Sequence, residues 1–171
     1  LNGRRKAYDY FAAIKDRALE YFNLRHGKTE IVRISTGFEP LDNVIQGGLG
    51  QGELGVIIAP AKHGKTTALV SLAANAVLTQ KKALYVTLEL SHKLISSKFD
   101  AFFFGDSLEG IKKKPKSFKT KLEALREKIH GRLHIVEFPT KSLSLDGLQS
   151  MIEKESPDVV FVDYASILQP P

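Results

Sequence analysis

A chain of 171 residues can bury one proper core but not two comfortable ones. Its apolar share of 43 % and charged share of 26 % are those of an ordinary globular protein, and its longest apolar runs, such as Val159 to Val162, fall far short of a membrane span. With no cysteine there is neither a disulfide framework nor a thiolate metal site, a reducing cytoplasm is the expected setting, and the net charge of +6 admits a nucleic-acid partner without demanding one.

In chain order, Arg4 to Leu24 predict a helix, with Tyr8, Phe11, Ala12, Ala18, Leu19 and Phe22 on one face and Lys15, Asp16 and Arg17 off it. Asn23 to Lys28 reads as a linker around Gly27, and Glu30 to Ile34 as a short strand. Thr36 to Gly52, with Gly37, Gly47, Gly48 and Gly50, is expected to be mostly turn around a short helix at Leu41 to Ile45. Glu53 to Ala59 is a continuous apolar strand, followed by a helix from Lys65 to Gln80 and a strand from Ala83 to Leu88. Ser91 is placed to cap a helix running to Phe104. A basic segment with Pro115 leads into a helix from Phe118 to Ile129, then a strand at Leu133 to Phe138, a helix at Leu145 to Glu155 and a strand at Asp158 to Asp163.

Alternating β and α elements, with strands apolar on both faces, predict an α/β fold: a mainly parallel sheet flanked by helices. The expected division is an N-terminal helical segment, 1–30, and one α/β domain, 31–171. The chain starts at Leu1 and stops at Pro170-Pro171 straight after an apolar run, so it reads as a piece of a longer protein.

The chemistry concentrates at Ala59-Pro60-Ala61-Lys62-His63-Gly64-Lys65-Thr66. This run meets the phosphate-loop pattern G-x-x-x-x-G-K-[ST] except that Ala59 replaces its first glycine. The context is strand, loop, helix. Loop N–H groups from Ala61 to Thr67 and the positive end of the helix would surround a β-phosphate, with the Lys65 ammonium on the β/γ oxygens. The nucleotide-binding set is therefore Ala61, Lys62, His63, Gly64, Lys65, Thr66 and Thr67. Gly64 lets the backbone approach the phosphate, and Thr66 offers a hydroxyl to Mg²⁺. At Ala59 the pattern needs only a small residue.

A second acidic group is needed beside the metal. Val159-Val160-Phe161-Val162-Asp163 supplies it at the carboxyl end of a strand, the edge where open α/β sheets bind ligands. The next residue is Tyr164, so a catalytic glutamate directly after the aspartate is ruled out. Glu89, ending the run Ala83 to Leu88, is the candidate to orient and deprotonate water at the γ-phosphate. Glu89 and Lys65 are thus the expected catalytic pair, and Thr66 and Asp163 the expected metal site.

Together these residues resemble the RecA-like ATPases and, within them, the DnaB-type replicative helicases, including those of bacteriophages. The matching segments are Ser35-Thr36-Gly37-Phe38-Glu39-Pro40-Leu41-Asp42, Gly47-Gly48-Leu49, Gly52-Glu53-Leu54, the phosphate loop, Tyr85-Val86-Thr87-Leu88-Glu89-Leu90-Ser91 and Val162-Asp163-Tyr164. They cover about Ser35 to Leu168. The resemblance implies a RecA-like core and a hexameric ring coupling ATP hydrolysis to movement on single-stranded DNA. It also implies Glu89 as catalytic base, Lys65 and Thr66 on phosphate and metal, and Asp163 completing the metal site. Arg4 to Leu24 then looks like the family's linker helix, docked on a neighbouring subunit or packed on its own core. The family's DNA-binding loops and the basic finger reaching the neighbour's γ-phosphate would lie beyond Pro171, with the rest of the core. The implied setting is the cytoplasm, the host's if the gene is a phage's, with no membrane partner.

Two alternatives stay open: a RecA- or KaiC-like ATPase in recombination or regulation, and a loader that binds ATP without turning it over, against which Glu89 argues. Lys112, Lys113, Lys114, Lys116, Lys119 and Lys121 form a basic run that reads as a solvated face before it reads as a DNA contact. Phe102, Phe103 and Phe104, beside Phe99, read as core or subunit contact before base-stacking platforms. His26, His63, His92, His130 and His134 have no metal-ligand spacing.

Overall fold

A computed structural model describes residues 8–28 and 32–164. The expected helical residues 4–7 and strand residues 30 and 31 lie outside them. The chain divides into two units, Leu1–Val32 and Arg33–Pro171.

In the first unit, helix α1 spans Ile14–Arg25. Residues 8–13 are not helical, although the pattern predicted a helix from residue 4. The Asp9 carboxylate accepts the N–H groups of Phe11 and Ala12 at 3.0 and 2.9 Å, offering the backbone a local turn in place of helical bonds. Arg17 lies 3.9 Å from the centre of the Tyr10 ring and donates to its hydroxyl. The apolar face is exposed: α1 buries no residue, and Phe11, Leu19 and Phe22 are all more than half or half open to solvent.

The second unit begins with a two-stranded antiparallel ribbon, β1 (Arg33–Ile34) on β2 (Leu49–Gly50), around helix α2 (Glu39–Val44). β1 falls within the short strand expected at Glu30 to Ile34, whereas its partner β2 lies in the stretch read as mostly turn, because a two-residue strand carries no periodicity. Arg33 holds it by donating to the carbonyls of Ile45 and Gly48 and to the Glu53 carboxylate. Gly37, at φ +78°, sits against the Asn75 side chain, whose amide donates to the Thr36 carbonyl at 2.8 Å. A Cβ at either Gly37 or Gly48 would collide with Asn75 or with the Ile34 carbonyl respectively.

Asp42 explains why Ser-Thr-Gly-Phe is followed by Leu-Asp. Its carboxylate accepts the Ser35 hydroxyl at 2.6 Å, the Thr36 N–H at 2.9 Å and the Thr36 hydroxyl at 2.7 Å. Burial pushes its pKa up, but the hydrogen bonds from Ser35, Thr36 and Gly37 together hold it below the ordinary 3.8. Stabilisation from this group is complete above the unfolded value and is lost as pH falls below 3.8 through the folded one. Asp42→Ala is expected to lower unfolding free energy by about 1–3 kcal/mol, because buried Thr36 loses its acceptor. Urea titration at pH 7 and pH 3 checks both points: the difference from wild type shrinks at the lower pH.

The remaining elements are α3 (Lys65–Leu78), β3 (Lys82–Thr87), α4 (His92–Phe104), α5 (Leu108–Lys113), α6 (Pro115–Lys128), β4 (Arg132–Glu137), α7 (Leu145–Glu155) and β5 (Val159–Asp163). The three strands form a parallel sheet in the order β4-β3-β5. From β3 the chain crosses to β4 by way of α4, then crosses back past β3 to β5 by way of α7. The odd residues Ala83, Tyr85 and Phe161 pack with Val70, Ala73, Ala74, Val77, Ile95 and Phe99 of α3 and α4. The even residues Leu84 and Val86 pack with Leu88, Leu143 and the α7 residues Leu148, Met151 and Ile152. Helices on opposite faces with opposite directions of travel give both crossovers the same hand.

One predicted strand is absent. Glu53 to Ala59 runs without a ladder partner among the described residues, and Leu54, Val56 and Ile58 are 86, 69 and 89 % exposed. An apolar run signals a preference for burial, but a strand forms only where a neighbour takes its N–H and C=O groups. Phe99 lies in the core with Phe102 and Phe103 packed against it, and Phe104 meets Phe118 edge-on at 5.0 Å. The six lysines of the basic run are exposed, with Lys112 paired to Glu109 and Lys119 to Glu123.

Candidate nucleotide site

Parallel strands end together. The register sets Thr87 of β3 level with Asp163 of β5 and with Glu137 of β4, so three polar side chains line the carboxyl edge of the sheet. α3 starts at the same edge. Its N-cap is Gly64, at φ +82°, which supplies no capping side chain. The N–H groups of Lys65, Thr66 and Thr67 therefore have no intrahelical acceptor and face outward with the positive end of the helix. The Lys65 ammonium folds over the loop and donates to the carbonyls of Ala59 and Pro60 at 2.8 and 2.9 Å. His63 turns inward on the loop, its Nδ1 2.8 Å from the Ala61 carbonyl.

Thr66 and Asp163 meet. They are 97 residues apart in sequence, and the Thr66 hydroxyl donates to Asp163 Oδ1 at 3.3 Å. The strand period explains it: Val159, Phe161 and Asp163 share the face of β5 that packs on α3, so the last of them points at the first turn of that helix. Asp163 is 3 % exposed. Its other oxygen accepts the Tyr85 hydroxyl at 3.0 Å. Burial, then the Asp163 charge, pushes the Tyr85 phenol far above its ordinary value, so it remains a donor.

The family model of the DnaB-like helicase C-terminal domain matches residues 33–171. The chain belongs to that family. It is similar to the DnaB-like replicative helicase of Enterobacteria phage T4, 28 % identical over 170 residues, covering 94 % of this chain and 34 % of the phage protein. It is also similar to a probable plasmid replicative DNA helicase of Chlamydia psittaci, 27 % identical over 156 residues, covering 86 % of this chain and 33 % of that protein. The chain thus spans about a third of the length of each relative.

In this DnaB-like domain Glu89 stands two residues past the end of β3, exposed, on a turn fastened from several sides. The Thr87 hydroxyl donates to the Leu90 carbonyl at 2.7 Å and accepts the Leu90 N–H, closing the turn beneath Glu89. The Leu88 N–H donates to the Asp163 carbonyl at 2.9 Å, and Thr140 donates to the Leu88 carbonyl. Ser91 caps α4 through the Leu94 N–H. Glu137 accepts both the His92 N–H and the His92 ring nitrogen. These bonds from His92, the backbone one foremost, hold the Glu137 carboxyl below its usual range.

The sequence-predicted residues therefore fall at one edge. Thr66 and Asp163 are brought together directly, Lys65 lies over the loop beside them on the Ala59 and Pro60 carbonyls, and Glu89 is held just past the end of the neighbouring strand. Sequence reasoning missed Tyr85, which it read only as a strand residue. The signal was available: a tyrosine in the middle of Ala-Leu-Tyr-Val-Thr-Leu must find a partner for its hydroxyl once the strand is buried.

Proposed function

We propose that this chain is the ATP-hydrolysing core of a ring-shaped replicative DNA helicase, in which hydrolysis drives translocation on single-stranded DNA and duplex unwinding. The observation that carries the reading is the 3.3 Å approach of Thr66, at the open start of α3, to Asp163 at the end of β5, with Lys65 over the same loop. Two hard oxygens, one from a hydroxyl and one from a carboxylate, suit Mg²⁺, which takes one or two protein oxygens and fills its shell with water and substrate phosphates. When bound, Mg²⁺ neutralises charge that develops on the phosphate oxygens.

Residues 61–67 hold the triphosphate through N–H groups and the α3 dipole. Lys65 leaves its two carbonyl partners for the β/γ oxygens. Glu89 aligns a water with the γ-phosphorus and takes its proton as the new P–O bond forms and the bond to the β-phosphate oxygen breaks, leaving ADP and phosphate. The domain boundaries follow as 1–30 for a linker helix and 31–171 for the RecA-like domain. The exposed apolar residues Leu19 and Phe22 of α1, with Phe11 just before it, fit docking on a neighbouring subunit of a hexamer. The expected site of action is the cytoplasm, or that of the host cell. No described helix is long and apolar enough to cross a membrane.

The test is ATP hydrolysis by the full-length protein with and without single-stranded DNA. Stimulation of about tenfold or more is expected, followed by unwinding of forked duplexes. Hydrolysis indifferent to DNA would overturn the helicase reading in favour of a RecA- or KaiC-like ATPase acting on a protein partner.

A further inference from the structure

The turn that carries Glu89 lies beyond the ladders. β3 ends at Thr87, whose level partners are Glu137 on β4 and Asp163 on β5. Leu88 is 1 % exposed, so its backbone groups need partners from the protein. Its N–H donates to the Asp163 carbonyl at 2.9 Å, and its carbonyl accepts the Thr140 hydroxyl at 3.0 Å, from the loop between β4 and α7. That carbonyl belongs to the peptide unit joining Leu88 to Glu89. The unit is planar, so holding its oxygen limits its rotation and with it the aim of the glutamate. The same stretch of chain grips the turn twice more. The Phe138 N–H donates to the Thr87 carbonyl at 3.0 Å, and Glu137 accepts the His92 N–H at 2.8 Å and lies 2.7 Å from His92 Nδ1. Glu89 itself is exposed, so the backbone of the turn, and not packing around the side chain, sets where its carboxylate stands.

Thr140 is exposed as well, a position where water can satisfy a hydroxyl. What this hydroxyl adds is its bond to the Leu88 carbonyl, 52 residues away in sequence. We propose that Thr140 is a positioning residue for Glu89: its hydroxyl fixes the Leu88–Glu89 peptide and, through it, the approach of the carboxylate to the attacking water. This rests on the reading of Glu89 as the base, and the test separates the two. A misplacement of about 1 Å in a catalytic group costs up to about a hundredfold in rate. Ground-state binding of the triphosphate by residues 61–67 does not depend on it.

Full-length wild type, Thr140→Val, Thr140→Ser, Glu89→Gln and the Glu89→Gln/Thr140→Val double variant are compared by phosphate release from ATP with Mg²⁺. Thr140→Val is expected to lower kcat about tenfold or more and to leave the KM for ATP within about twofold. Thr140→Ser keeps the donor and is expected to stay within about threefold of wild type. In the Glu89→Gln background Thr140→Val should add no further loss, because a residue that acts through another has nothing left to act on. Wild-type kcat in Thr140→Val, with Glu89→Gln impaired, overturns the role of Thr140 and leaves the base in place. An equal loss from Thr140→Val in both backgrounds overturns its action through Glu89. Wild-type turnover in Glu89→Gln overturns the reading of the base and this proposal with it. Should Thr140→Val not fold, Thr140→Ala removes the same hydroxyl without adding a methyl group. The same loss of kcat is expected of it, and wild-type kcat there overturns the proposal.

Discussion

Glu89→Gln is expected to bind ATP with wild-type affinity and to lower turnover about 10²- to 10⁴-fold, the contribution of a positioned base. The substitution keeps shape and removes only the charge and the ability to take a proton. Glu89 is exposed, and the bonds that fasten its turn come from Thr87, Leu88, Ser91 and His92, so the fold is expected to tolerate the change. Equilibrium binding of a fluorescent ATP analogue, set beside steady-state phosphate release, separates the two effects. Turnover within a factor of about three of wild type would remove Glu89 from the role of base, since general-base catalysis contributes far more than that.

Lys65→Ala is the second large effect. Loss of turnover of at least about a hundredfold is expected, as for removal of one preorganised charge from the transition state. Nucleotide affinity should fall with it, because the lysine also meets the ground-state phosphates. Lys65 stands at the positive end of α3, an unfavourable placement for a basic side chain that its two carbonyl contacts offset. The free variant is therefore expected to melt no lower than wild type. The rise in melting temperature on adding ATP and Mg²⁺ should be the part that disappears, since a ligand stabilises only as far as it binds. A variant that melts lower without nucleotide yet still shifts fully with it would contradict the assignment.

The helix start at Gly64-Lys65-Thr66 was legible because its signal is local. Gly64-Lys65-Thr66 at the start of a helix needs only neighbouring residues to present N–H groups, a dipole and an ammonium. The strand Ala83 to Leu88, the helix after Ser91 and the helix Leu145 to Glu155 were legible for a related reason: each announces itself by its apolar pattern, and the second also by its capping serine. Glu53 to Ala59 carries the same apolar signal and forms no ladder among the described residues, since pairing depends on a partner that the segment does not itself contain. Leu49–Gly50, the partner of Arg33–Ile34, lay hidden for the opposite reason, too short for any period to show.

By itself, then, the sequence determined most of the helices and the three strands of the parallel sheet, the glycine-opened start of α3, and the acidic residues at or just past the ends of two strands, all of which are properties of residues close together in the chain. Tertiary structure decided which of these meet. The order β4-β3-β5 set Asp163 beside Tyr85, and the pleat turned Asp163 toward Thr66. The Asp42 clamp closed on Ser35 and Thr36 only once the chain had turned back through α2. Distances between residues 97 apart depend on register and layer packing, and no local preference encodes either.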